Sequence, residues 1–118
     1  MCCVDTVVYY VVQYVSTMQR RFLCCAPAVV LQSVLINTNL LIASKENKIK
    51  RYFFSSSACA YNKNKQQDVF IKGLKEKDAY PADPEDGYGW EKLFSERMCR
   101  HFMEDYGIEI RIARYHNI

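Results

Sequence analysis

A chain of 118 residues, half of them apolar, is long enough for one domain with a modest core. Its formal charge of +3 comes from lysines and arginines scattered along the sequence, so no basic tract supports nucleic-acid binding. Six cysteines stand as Cys2-Cys3, Cys24-Cys25, Cys59 and Cys99, without the spacing of a metal centre; no metal site is expected, and reduced thiols in a cytoplasmic chain are.

The run Val7-Val8-Tyr9-Tyr10-Val11-Val12 is β-branched and aromatic, and Gln13 interrupts it well short of the ~20 residues of a membrane span. It reads as a buried strand, and the rest of residues 1–28 stays unassigned. Val30, Val34, Leu35, Leu41 and Ile42 then recur at helical spacing and predict a helix over 29–47. Tyr52-Phe53-Phe54, bounded by polar residues, predicts a buried strand over 51–55 that ends at Ser55-Ser56-Ser57. Those serines would mark the C-terminal edge of a sheet, where open α/β folds bind ligands.

Residues 62–87 are rich in Asn, Lys, Gln, Asp and Pro, and Pro81 and Pro84 exclude a long helix, so this stretch is a loop with short ordered pieces. Its lysines, Lys63, Lys65, Lys72, Lys75 and Lys77, read as a solvated face before they read as a phosphate site. A helix over 88–106 is expected to bury Trp90, Leu93, Phe94, Met98, Phe102 and Met103 and to stop at Gly107. Ile108, Ile110 and Ile112 alternate with polar or small residues and predict a strand over 108–114. Strand, crossover helix, strand makes a right-handed parallel unit, so the fold class is α/β. The four glycines, Gly73, Gly87, Gly89 and Gly107, form no Gly-x-Gly-x-x-Gly turn for a dinucleotide pyrophosphate.

Tyr88 and Lys92 are one helical turn apart, which places a phenol and an ammonium on one face. A nearby cation favours the phenolate and brings a tyrosine closer to use as a base at neutral pH. Many helices contain that pair by chance. Cys59 alone reads as a small buried residue, His116 as packed or hydrogen-bonded, and His101 as solvated.

The wording around the pair is more specific. Ser56-Ser57-Ala58-Cys59-Ala60-Tyr61, then Lys75-Glu76-Lys77-Asp78-Ala79-Tyr80-Pro81, then Tyr88-Gly89 with Lys92, and Arg114-Tyr115-His116-Asn117-Ile118 resemble the extended short-chain dehydrogenases, and among them the plant-type GDP-mannose 3,5-epimerases. The resemblance runs from about Val30 to Ile118. It implies a Rossmann-type parallel sheet, a catalytic trio of Ser57, Tyr88 and Lys92 that also contacts NAD, and a proton-moving role for Cys59. It further implies that Ser57, Ala58, Cys59 and Asn117 contact the GDP-sugar. In such a reaction, oxidation of the sugar C4 hydroxyl to a ketone acidifies the neighbouring C–H, and the family converts GDP-mannose to GDP-L-galactose. The expected partners are a second copy or an intact relative, through a four-helix bundle built on helices 29–47 and 88–106, with no nucleic acid and no membrane.

The sequence departs from the family at Gln32-Ser33, where an asparagine pair is usual, and at Asn62-Lys63, where the family has Pro-Glu. It ends at His-Asn-Ile, ahead of the family's Tyr-Gly-Pro and of the lysine that partners the cysteine. The expectation is therefore a partial NAD-dependent epimerase/dehydratase domain over 29–118, a fragment of a Rossmann-type sheet lacking the N-terminal glycine-rich βαβ and inactive alone. A non-catalytic interaction module is the alternative.

Overall fold

A computed structural model describes residues 27–70 and 73–116; the strand expected near Val7 and the substrate residue Asn117 lie outside them. Helix α1, Pro27–Glu46, leads into strand β1, Arg51–Ser57, and a 3-10 turn, Ala58–Ala60. A short helix α2, Lys63–Gln67, and a second 3-10 turn, Glu76–Ala79, follow before helix α3, Gly87–Tyr106, and strand β2, Glu109–Tyr115.

Local chemistry sets the ends of these elements. Pro27 opens α1, where its missing N–H costs nothing. The same helix closes with Lys48 in the left-handed region, φ 52°, while Ile49 N–H donates to the Ser44 carbonyl at 2.9 Å. Asp86 caps α3, its carboxylate accepting from Gly89 N–H at 2.8 Å. Gly107, at φ 68°, ends that helix and donates to the Met103 carbonyl at 3.1 Å. A side chain there would be forced into the left-handed region.

The two strands pair in parallel, from Arg51 opposite Glu109 to Ser57 opposite Tyr115, with α3 as the crossover. Helices α1 and α3 run side by side in the same direction: Val30 lies beside Gly87 at one end, and Lys45 stands 4.5 Å over the Tyr106 ring at the other. Leu41 from α1, Tyr52 and Phe54 from β1, Cys99 from α3, and Ile108 and Ile110 form the core between helices and sheet. Leu40, Met98, Phe102 and Ile112 extend it. A smaller cluster of Ala60, Tyr61, Ala79 and Leu93 ties the two 3-10 turns to α3.

Two expectations need correction. Strand β1 is half-buried rather than buried, with Tyr52, Phe54 and Ser56 inward and Phe53 45% exposed, because the described helices cover one sheet face only. It also runs on through Ser57, so all three serines belong to the strand. Helix α3 is rotated from the face its apolar residues predict. Trp90 and Phe94 are 48% and 49% exposed, and Met103 is also exposed, while Glu91, Lys92, Ser95 and Glu96 are buried. The contact that fixes this rotation is Gly89, where any Cβ would collide with the Cys59 carbonyl and with Pro84. With Gly89 against the 3-10 turn and Cys99 in the core, the intervening polar residues must turn inward.

No helix among the described residues is long and apolar enough to cross a membrane.

Candidate active site

The last residues of β1 and the first turns of α3 meet at one end of the sheet. Lys92, one turn inside α3, reaches across to β1, and its Nζ donates to the Ser55 carbonyl at 3.2 Å. The ammonium also lies 5.2 Å from the centre of the Phe54 ring and 5.4 Å from that of Tyr88, so both aromatic faces contribute to holding it. The lysine side chain is 9% exposed. Burial holds its ammonium below the usual lysine range, an effect opposed by the adjacent Glu91 carboxylate.

Ser57 is the N-cap of the 3-10 turn. Its Oγ accepts from the Cys59 N–H at 3.2 Å, which leaves the hydroxyl proton to be donated elsewhere. Cys59 is a free, half-buried thiol whose carbonyl lies against Gly89, next to Tyr88. The structure thus brings Ser57, Ala58, Cys59, Tyr88 and Lys92 to the same end of the sheet. His116 stacks at a tilt against Tyr61, ring centres 6.0 Å apart, and His101 is exposed.

Residues that the motif reading passed over hold this end rigid. Ser56 Oγ donates to Glu96 Oε1 at 2.6 Å, and Arg114 grips the same carboxylate through Nε at 2.8 Å and Nη2 at 2.6 Å. The other Arg114 nitrogen donates to the Glu76 carbonyl at 2.8 Å, and the guanidinium lies 4.7 Å from the Tyr61 ring centre. One arginine therefore joins β2, α3, Tyr61 and the second 3-10 turn, and reaches β1 through Glu96 and Ser56. Its hydrogen bonds to Glu96 raise its pKa above the already high arginine value. A cavity of about 230 Å³ opens beside it, lined by Tyr61, Glu76, Glu96, Arg100, Ile112, Ala113 and Arg114. Tyr88, Lys92 and Cys59 do not line that cavity.

Deeper in, Tyr52 donates to Asn37 Oδ1 at 2.9 Å. Burial raises the Tyr52 phenol well above the usual tyrosine value and pushes the Cys99 thiol up to about 12. Both are structural groups kept neutral. Sequence spacing alone could have flagged one hidden polar residue: Glu96 falls one turn beyond Lys92 on the same face.

Among the described residues no cluster of His, Cys, Asp or Glu could hold a metal ion. The 118 residues include a Tyr-x-x-x-Lys pair and a serine strand suited to the ribose end of a dinucleotide, and no glycine-rich turn for its pyrophosphate.

The family model described as "NAD dependent epimerase/dehydratase family" matches residues 5–118, a span that reaches into the first 28 residues. The chain is similar to GDP-mannose 3,5-epimerase of Arabidopsis thaliana, 49% identical over 86 residues, or 73% of this chain and 23% of that protein. It is similar to GDP-mannose 3,5-epimerase 1 of Oryza sativa subsp. indica and of subsp. japonica, each 48% identical over 86 residues, again 73% of this chain and 22% of the relative. The chain thus spans under a quarter of the length of these curated relatives. With a parallel βαβ unit, the Tyr-x-x-x-Lys pair at the end of its serine strand and a family match over nearly all its length, the chain belongs to the NAD dependent epimerase/dehydratase family.

Proposed function

We propose that this chain carries the proton-transfer centre of an NAD-dependent nucleotide-sugar epimerase of the GDP-mannose type, and that these residues do not turn over substrate by themselves. The observation that carries the reading is the reach of Lys92 from α3 to the Ser55 carbonyl at 3.2 Å, which sets the Tyr-x-x-x-Lys pair at the end of the serine strand.

In this reading Tyr88 takes the proton of a sugar hydroxyl and later returns it. The Lys92 ammonium, 5.4 Å from the Tyr88 ring centre, favours the phenolate and has N–H groups to spare for a ribose hydroxyl. Ser57, already accepting from Cys59 N–H, donates to the reacting oxygen. Cys59 moves a proton at the carbon that ketone formation acidifies. NAD, when bound, supplies the hydride acceptor and donor. Tyr88, Lys92 and Ser57 would hold its nicotinamide-ribose end. The pyrophosphate end needs a glycine-rich turn that these 118 residues do not contain, which is why no turnover is expected from them alone.

A graft tests this. The matching 86 residues of the Arabidopsis relative are replaced by this chain's own, and the hybrid is assayed for epimerisation of GDP-mannose. The hybrid should be active, and Tyr88→Phe within it should lower kcat by about 10² to 10⁴ while preserving the fold. A hybrid that folds and binds NAD yet makes no product would refute the reading.

A second reading, an interaction module, is favoured by one observation. Leu31, Leu35 and Ile42 on α1 and Trp90 and Phe94 on α3 are large, apolar and exposed. They suit pairing with a second copy or an intact relative through these two helices, the ones that the family resemblance implies for a four-helix bundle.

A further inference from the structure

We propose that Glu91 is the counter-ion of Lys92, the group that keeps this lysine an ammonium beside Tyr88. The inference deepens the proposed function, since it concerns the same lysine, but it is carried by the geometry of a residue with no role in the motif.

A lysine side chain 9% exposed has lost most of its water, and a buried ammonium sheds its proton unless something replaces that water. Among the described residues, Lys92 Nζ meets the Ser55 carbonyl at 3.2 Å on β1 and two ring faces, Phe54 on β1 and Tyr88 on its own helix. These are dipoles and quadrupoles, and none brings a full negative charge. Two other carboxylates on or capping this helix are engaged elsewhere: Glu96 accepts from Ser56 and twice from Arg114, and Asp86 caps the helix. Glu91 Oε1 lies 4.0 Å from Lys92 Nζ, and the Glu91 side chain is 2% exposed. Successive helical residues point about 100° apart, so this contact does not come from adjacency alone.

The other carboxylate oxygen has no hydrogen-bond partner among the described residues, and neither does the buried Ser95 hydroxyl one turn further along. An unpartnered buried carboxyl is costly, and a structural role would require a donor or an acceptor for it. A mutual ion pair offsets part of that cost, since each charge opposes the burial penalty of the other. The directions agree: burial lifts the Glu91 carboxyl above the usual range and depresses the Lys92 ammonium, while each partner's charge opposes the other's shift. The Lys92 charge opposes the upward push that burial gives Glu91. The consequence is chemical. A neutral amine at Lys92 would no longer favour the Tyr88 phenolate, so Glu91 acts on the phenol through the lysine, as a positioning residue.

The test reads both groups directly in the full chain, by NMR with lysine labelled at ¹³Cε and glutamate at ¹³Cδ. Lys92→Arg and Glu91→Gln assign the two resonances. Glu91→Gln should lower the Lys92 titration midpoint by about one pH unit or more, the size set by an opposite charge at this separation. Glu91→Asp, which keeps the charge, should restore part of it. An unchanged midpoint in a folded Glu91→Gln chain overturns the proposal. So does a Glu91 carboxyl found protonated at pH 7 in the unaltered chain, a measurement that stands even where the variant does not fold. Neither readout needs NAD or a sugar, so an inactive hybrid enzyme would count against the proposed function and leave this result intact.

Discussion

Replacing Glu96 by leucine removes the acceptor on which the serine end of the sheet is hung. The carboxylate takes three short hydrogen bonds, from Ser56 Oγ at 2.6 Å and from Arg114 Nε and Nη2 at 2.8 and 2.6 Å. Both side chains are withdrawn from solvent, Arg114 to 9% exposure and Glu96 to 5%. Hydrogen bonds to charged groups contribute about 1.5–3 kcal/mol each, which sets an upper range of about 5–9 kcal/mol for three. Arg114 keeps the Glu76 carbonyl and the Tyr61 ring, so the net loss falls to the about 3–5 kcal/mol typical of stranding one member of a buried pair. For a small domain with a total stability of about 5–15 kcal/mol, that is a large fraction. Urea unfolding followed by circular dichroism should show the midpoint of Glu96→Leu lowered by more than about 1 M. Arg114→Met should cost a similar amount. The double variant should cost well below the sum, because an apolar pair of similar volume leaves no charge stranded. Single losses under about 1 kcal/mol, or additive losses, would refute the view that this pair anchors the serine strand.

Three further outcomes follow from other parts of the fold. Cys99, whose thiol is pushed from 9.0 to about 12 by burial, is neutral when folded and ionises more easily when unfolded; its contribution is therefore complete below pH 9 and is lost as pH rises toward 12. Stability measured by urea from pH 8 to 11 should fall, and Cys99→Ala should flatten that slope; an unchanged slope would show that the thiol is not buried as described. Gly89→Ala should destabilise the chain by about 1–3 kcal/mol, despite alanine's better helix propensity, since its methyl meets the Cys59 carbonyl and Pro84; a Tm equal to or above that of the unaltered chain would contradict this packing. If α1 and α3 pair with another copy, Leu35→Glu with Phe94→Glu should shift sedimentation at micromolar concentration toward the monomer, and a monomer before and after would dismiss the interaction reading.

The elements and the family motif could be read from the sequence by itself, because both are local. Caps, periodicity and turn residues placed two helices and two strands within a residue or two, and Gly107 stopped α3 for the steric reason expected of it. Tyr88, Lys92 and Ser57 were legible because their spacing is short and their wording is specific. Which face of α3 turns inward was not legible. Its apolar residues indicate Trp90 and Phe94, and the close approach of Gly89 to the Cys59 carbonyl, some thirty positions earlier, overrides them. That rotation buries Glu91, Lys92, Ser95 and Glu96 together, and it makes Glu91 a partner for Lys92 and Glu96 a clasp for Arg114 and Ser56. The Glu96 clasp joins residues far apart in the chain, and both pairings depend on charge in a space emptied of water. No periodicity encodes them, so only the tertiary structure could decide them.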